Sequence, residues 1–294
     1  MAKQFFFLCG LPRSGSTVLA SLLAQNPDVY TSPNSSLVEL LVNVNQHLST
    51  SEQSRAFLQP TQRTDVLRHC MAGMYHFTDR PVVIDKSRAW PHPHNLALLD
   101  EVLGEPVKVI ATVRDLPSVL ASFVRKIHEH PEQISFVDTA LRQAGTVCSD
   151  QARAHTLFAP GGTVYEAWYT LKQAFDEGWG ERIHLIEYDE LVAAPDATLA
   201  RLYDFLALPA YQHDYGNITN PTPENDDVYT MPGLHAIAPT LSKTAPDPQV
   251  VLGKALYQKY AAVPHFWRGG GVAPAAPKPT NPLHVTATTT LTTL

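Results

Sequence analysis

Cysteine is scarce in this sequence: Cys9, Cys70 and Cys148 are the only three among 294 residues. So few thiols, so widely scattered, exclude a disulfide framework and a zinc ribbon and suit a reducing compartment. A basic excess is also missing. With 22 Lys and Arg against 28 Asp and Glu, the net charge is −6, which argues against nucleic acid or an anionic membrane as the general partner. No apolar run approaches the roughly 18 residues of a membrane span. The opening MAKQFFFLCG has one Lys and a short apolar stretch that enters a Gly/Pro turn, which reads as a buried strand and not as a signal peptide. A cytoplasmic protein with no membrane partner is the expectation. Apolar residues at 44% and charged residues at 17% exclude a largely disordered chain. A local anion site stays open, because a few well-placed donors make one whatever the net charge.

Four short apolar segments, 5–9, 82–84, 107–113 and 183–188, are continuous and not alternating, as expected for parallel strands covered on both faces. Helical patterns lie between them. Val18, Leu19, Leu22 and Leu23 share one face that stops at Asn26-Pro27, and Val119, Leu120 and Phe123 follow Pro117, a residue suited to a first helical turn. This alternation predicts an α/β fold, a doubly wound parallel sheet with flanking helices. Residues 209–250 are rich in Pro, Asn, Asp and Thr and read as a long irregular excursion, with a helix returning at 250–261. The expected organisation is a single domain over 1–268 and a Gly/Pro/Thr-rich tail over 269–294 outside the core.

The sharpest signal is Gly10-Leu-Pro-Arg-Ser-Gly-Ser-Thr17, which follows one predicted strand and opens a predicted helix. That context is what a phosphate-cradling loop requires: glycines for the tight turn, inward amides, and the positive end of a helix dipole. The ATPase loop has a Lys where this chain has Ser16, so nothing in the loop reaches β- and γ-phosphates. An ordinary βα turn would carry small residues too, but here the cation Arg13 lies beside hydroxyls. A second anion site is suggested at the end of the 107–113 strand. Arg114 stands at the strand's carboxyl end, where ligands of open α/β sheets bind, and Ser122 follows on the next helix. A surface Arg paired with Asp115 is the plainer alternative.

PRSGST after an apolar strand resembles the phosphosulfate loop of the sulfotransferases that use 3′-phosphoadenosine-5′-phosphosulfate (PAPS). Arg114 with Pro117 and Ser122 resembles their 3′-phosphate motif, and the pattern is most similar to bacterial proteins related to the tyrosylprotein and heparan-type enzymes. The resemblance covers about residues 5–250. It implies a P-loop fold of nucleotide-kinase type, with PAPS as donor, its desulfated product PAP, and no metal. Arg13, Ser14, Gly15, Ser16 and Thr17 would then hold the 5′-phosphate, and Arg114 and Ser122 the 3′-phosphate. Tyr188 would approach the adenine and Lys243 the nucleotide. Lys86, which ends the 82–84 strand, would meet the departing phosphate oxygen. The acceptor would be a hydroxyl or amine on a small molecule, a peptide or a glycan. A nucleotide-binding protein without transfer activity, or a P-loop kinase relative, remains the alternative reading.

The general base is the least legible feature. The cytosolic branch of the family has a His two residues after its Lys, and this chain has Arg88 there. The tyrosylprotein branch has a Glu shortly after the loop helix, and the matching stretch here carries Asn34, which cannot take a proton. Glu39, amid Leu37, Leu40 and Leu41, is the nearest carboxylate and the expected base, with His47 and Asp85 as rivals. His92 and His94 have no evident third ligand for a metal.

Overall fold

The apolar run at the N-terminus becomes the middle of the sheet. In the computed structural model, which describes residues 3–242 and 247–268, β1 (Gln4–Gly10) is flanked by neighbours far away in sequence. The remaining strands are β2 (Val29–Asn34), β3 (Val82–Lys86), β4 (Val109–Val113) and β5 (Ile183–Glu187), and the spatial order is β2-β3-β1-β4-β5. Every pairing is parallel. All five residues of β3 and of β4 are buried, which is why those segments read as unbroken apolar runs.

Helices cover both faces. α1 (Ser16–Leu23) joins β1 to β2, and α2 (Leu37–Thr50), α3 (Glu52–Phe57) and α4 (Pro60–Met74) lead to β3. α5 (Pro93–Leu103) precedes β4. Then α6 (Leu116–Glu129), α7 (Phe136–Gln143), α8 (Asp150–Leu157) and α9 (Thr163–Asp176) precede β5. α10 (Tyr188–Ala193) and α11 (Pro195–Leu206) follow it, and α12 (Pro248–Ala261), bent at Gly253, comes last. Successive β1 side chains feed opposite layers, as the two-residue period of a strand demands. Phe7 packs with Val83, Trp90 and Leu99 on one side, and Phe6 and Leu8 with Leu19, Leu22 and Leu202 on the other. Each such side chain contributes about 1.5–3 kcal/mol on burial. A third apolar cluster joins α6, through Leu120, Phe123 and Val124, to Leu157 and Tyr260.

The doubly wound parallel sheet is as expected, and the departures are local. β4 begins at Val109 and not at 107, and β5 ends at Glu187, so that Tyr188 opens a helix. β2 was not expected. Its sequence VYTSPN is polar and contains Pro33, which an edge strand tolerates because one side has no ladder to supply. The register shift between Thr31 and Asn34 accommodates it. Among the described residues of 209–247, one 3-10 turn (Asp226–Tyr229) is the sole helical element. The tail 269–294 and Lys243 lie outside the described residues. Because the strands are parallel, the loops after β1, β3, β4 and β5 all emerge at one edge, where open α/β sheets bind ligands.

Candidate active site

The loop after β1 is shaped by close contacts as much as by its own sequence. A Cβ on Gly10 (φ +132°) would lie 2.1 Å from the Thr112 carbonyl oxygen, so β1 and β4 approach too closely for any side chain there. Gly15 (φ 91°) is the N-cap of α1 and offers no side-chain cap, leaving the first amides of that helix open as anion donors. Arg13 takes the left-handed conformation (φ 62°), uncommon for a residue with a Cβ. The Ser14 hydroxyl is turned inward, 2.7 Å from Thr112 Oγ1 and 3.0 Å from the Thr112 carbonyl, so it anchors the loop to β4. Arg13, Gly15, Ser16 and Thr17 instead line a cavity of about 730 Å³.

Four guanidinium groups line this cavity: Arg13, Arg88, Arg114 and Arg125. Arg13 donates from Nε to Ser122 Oγ at 3.1 Å and from its terminal nitrogen to the Leu234 carbonyl. Burial, then the charges of Arg125 and Arg114, push the Arg13 pKa down to about 10. Arg114 is 8% exposed, and its Nε has no hydrogen-bond partner among the described residues. Its guanidinium lies 4.5 Å from the centre of the Tyr188 ring, a cation–π contact. The same ring packs on the loop, since a Cβ on Gly15 would stand 2.4 Å from a Tyr188 ring carbon. Clustered cations that repel one another, with one buried donor unmet, are the arrangement that suits an anion.

At the ends of β2 and β3 lies a second group of polar residues. Lys86, 4% exposed, donates from Nζ to Glu224 Oε1 at 2.9 Å. Glu224 also accepts from the Asn34 backbone amide at 3.1 Å and from Asn34 Nδ2 at 2.7 Å. Burial alone would raise the Glu224 pKa, but the Lys86 charge and hydrogen bond, with His235 and the Asn34 amide, hold it below the ordinary carboxylate range. His235 reaches the same place, with Nδ1 2.5 Å from Asp226 Oδ1 and Nε2 3.1 Å from Asn34 Nδ2. Glu224, Asp226 and His235 were not singled out from sequence. They sit in the irregular excursion, where only an acidic run followed by a His stands out.

The remaining expectations separate. Ser122, Arg114, Tyr188 and Lys86 all line the cavity with the loop residues. Glu39 does not: it is exposed on α2, whose buried face is Leu37, Val38 and Leu41, and it is not among the cavity's lining residues. His47 is exposed on the same helix. Asp85 is fully buried and accepts from Trp90 Nε1 at 2.7 Å and from the Tyr75 hydroxyl, which makes it part of the core. Arg88 lines the cavity, while His92 and His94 are exposed away from it. Further lining comes from α6, α7 and the excursion, through residues such as Phe136, Gln143, Val228 and Tyr229, and from Asn34 of β2.

Among solved structures, the sulfotransferase domain from the curacin biosynthetic pathway is 20% identical, with 89% of this chain and 96% of that one covered at a TM-score of 0.44. The sulfotransferase domain of the Synechococcus PCC 7002 olefin synthase is 21% identical, with 88% and 95% covered at 0.43. A mouse sulfotransferase solved with PAP is 15% identical, with 72% of this chain and 62% of that one covered at 0.42. No curated protein matches the chain. The sequence model of the sulfotransferase family matches residues 6–213, the span that holds the loop after β1, Lys86, Arg114, Ser122 and Tyr188, and the chain therefore belongs to the sulfotransferase family.

Proposed function

We propose that this protein moves a sulfuryl group from PAPS to a hydroxyl or amine acceptor. Family membership supports sulfuryl transfer in general. The observation that carries the donor assignment is Arg114: a buried guanidinium with an unmet Nε, set beside the phosphate loop and stacked on an aromatic ring. A nucleotide with a phosphate at each end satisfies both features at once. The α1 amides, Ser16, Thr17 and Arg13 take the 5′ end. Arg114 and Ser122 take the 3′-phosphate, and Tyr188 lies where a flat base can pack.

PAPS brings the activated sulfuryl group, and this chain positions it. Lys86 faces the departing phosphate oxygen and stabilises the charge that develops there, the role of a preorganised donor. The acceptor, a small molecule or the reactive group of a peptide or glycan, enters between α7 and the excursion. Three free, scattered cysteines fit a cytoplasmic setting, and no helix among the described residues is long and apolar enough to cross a membrane.

Calorimetry with PAP, ATP and adenosine 5′-phosphosulfate tests the donor reading. PAP should bind tightest, and preference for ATP would replace the reading with a kinase-like one. A nucleotide binder without transfer activity is the rival, favoured by the engagement of Lys86 with Glu224. Turnover of radiolabelled PAPS separates the two.

A further inference from the structure

We propose that the acceptor carries an oxyanion, a carboxylate or a phosphate, besides its reactive hydroxyl or amine, and that Arg88 holds that group; this inference rests on the sulfuryl-transfer reading above. Among the described residues, Arg13, Lys86, Arg88, Arg114, Arg125 and Lys126 line the cavity and no Asp or Glu does. The chain as a whole carries −6, so this concentration of positive charge runs against the composition. A cleft lined by one sign of charge gathers the opposite one. The donor reading uses three of the six cations: Arg13 and Arg114 for the phosphates and Lys86 for the departing oxygen. Two more are paired on the protein. Lys126 donates to Glu129 Oε2 at 2.7 Å, and Arg125 Nε lies 3.6 Å from Glu129 Oε1. Arg88 is left. It stands two residues past the end of β3, is exposed, and makes no hydrogen bond or ion pair among the described residues. Its guanidinium offers five N–H donors in a planar fork that matches a carboxylate or a phosphate.

The surroundings put this fork beside the point of transfer. The groups whose charge acts on Arg88 are Tyr229 and Glu224. Glu224 is the carboxylate that accepts from Lys86 Nζ at 2.9 Å, so Arg88 and Lys86 share one corner of the cavity. Glu224 does not meet the fork itself. Its oxygens accept from Lys86, from the Asn34 backbone amide, from Asn34 Nδ2 and, at 3.5 Å, from the Tyr229 hydroxyl. An oxyanion brought by the ligand is what fills the fork. The wall next to it is apolar: Val228, adjoining Tyr229, is 76% exposed and lines the cavity together with Phe136. A hydroxylated apolar body that ends in an acid group meets wall, fork and transfer point at once. A neutral group in place of the acid forfeits the charge-assisted pair with Arg88.

The test uses the full chain and three probes of similar shape: 4-hydroxyphenylacetate, 4-hydroxybenzylphosphonate and the neutral 4-hydroxyphenylacetamide. Nitrogen-15 NMR follows the arginine Nε resonances, the Arg88 signal being the one lost in Arg88→Met. In PAP-saturated protein the two anions should shift that signal and the amide should not. The tighter anion tells a carboxylate from a phosphate as the group preferred. With radiolabelled PAPS, wild type should favour that anion over the amide in kcat/KM by roughly 10-fold, the worth of one hydrogen bond to a charged group. Arg88→Met should bring the ratio to about one, with PAP affinity within a few-fold of wild type. An Arg88 signal that neither anion moves, or that the amide moves equally, would overturn the proposal, since water alone would then satisfy the guanidinium. A ratio unchanged in Arg88→Met would overturn it too. Wild-type protein that fails to bind PAP would instead tell against the donor reading. The Arg88 titration needs neither donor nor turnover, and repeated without PAP it still decides for or against this proposal.

Discussion

Arg13 and Ser122, 109 residues apart in sequence, meet at 3.1 Å through the guanidinium Nε and the hydroxyl. In sequence they belong to two motifs, one at each of two strand–helix junctions. In the fold they are one hydrogen-bonded unit. On the donor reading proposed above, a ligand whose phosphates are joined by a nucleoside would meet a continuous surface of donors.

Arg114→Ala should weaken PAP by about 1.5–3 kcal/mol, the worth of a hydrogen bond to a charged group. It should weaken adenosine 5′-phosphosulfate, which lacks the 3′-phosphate, far less. Arg13→Ala should weaken both ligands, because Arg13 touches the loop and Ser122 alike. Titration calorimetry reads all four values. Equal losses for the two ligands in Arg114→Ala would remove that residue from the 3′-phosphate.

Lys86→Ala should reduce the single-turnover rate by roughly 10²-fold or more, as removal of an oxyanion donor does, with a smaller effect on donor affinity. The same change leaves Glu224 buried without its cation, which costs about 3–5 kcal/mol. Chemical denaturation should be run beside the kinetics. A normal single-turnover rate with poor donor binding would make Lys86 a plain phosphate ligand.

Glu224 also sets a pH dependence of folding. Its folded pKa is held below the ordinary value by Lys86. Its contribution to stability is therefore present above the ordinary carboxylate range and is lost as pH falls through the folded value. Glu224→Gln should be less stable than wild type at neutral pH, and the gap should narrow on acidification. Melting curves from neutral to acid pH check this, and a constant gap would contradict it.

Gly15→Ala should damage the site through two effects. The residue sits at φ +91°, and a Cβ would strike the Tyr188 ring at 2.4 Å. Backbone strain of this type costs about 1–3 kcal/mol. Thermal melting reads the clash: Gly15→Ala should cost less stability in a Tyr188→Ala background than in wild type, because the clash is relieved while the strain remains. Equal costs in the two backgrounds would show that the ring is not what Gly15 makes room for.

The legible half of the site is the half built from strand–helix junctions. The phosphate loop, Arg114 and Ser122 each announce themselves by a buried run, a turn residue and a helix start within a few positions. Lys86 and Tyr188 stand at strand ends for the same reason. The illegible half depends on distant pairing: Lys86 meets Glu224 across 138 positions, and Asn34 meets His235 across 201. Neither the polar edge strand that carries Asn34 nor the irregular excursion has a period to read. Glu39 stands outside the cavity lining: Leu40 beside it is apolar yet 38% exposed, so the buried face of α2 is one residue narrower than its apolar pattern. Asn34, which stands where the tyrosylprotein branch has its Glu, lies next to His235, 201 positions further along the chain.

The excursion does more than wall the cavity. Its Leu234 carbonyl sits on Arg13 and its Glu224 carboxylate on Lys86, so both cations carry an oxygen partner supplied by one segment of the chain. On the PAPS reading proposed above, binding of a phosphate would be an exchange of oxygen for oxygen, with a net strength set by the difference between two similar partners. Geometry, more than charge alone, would then decide which anion displaces the resident oxygens.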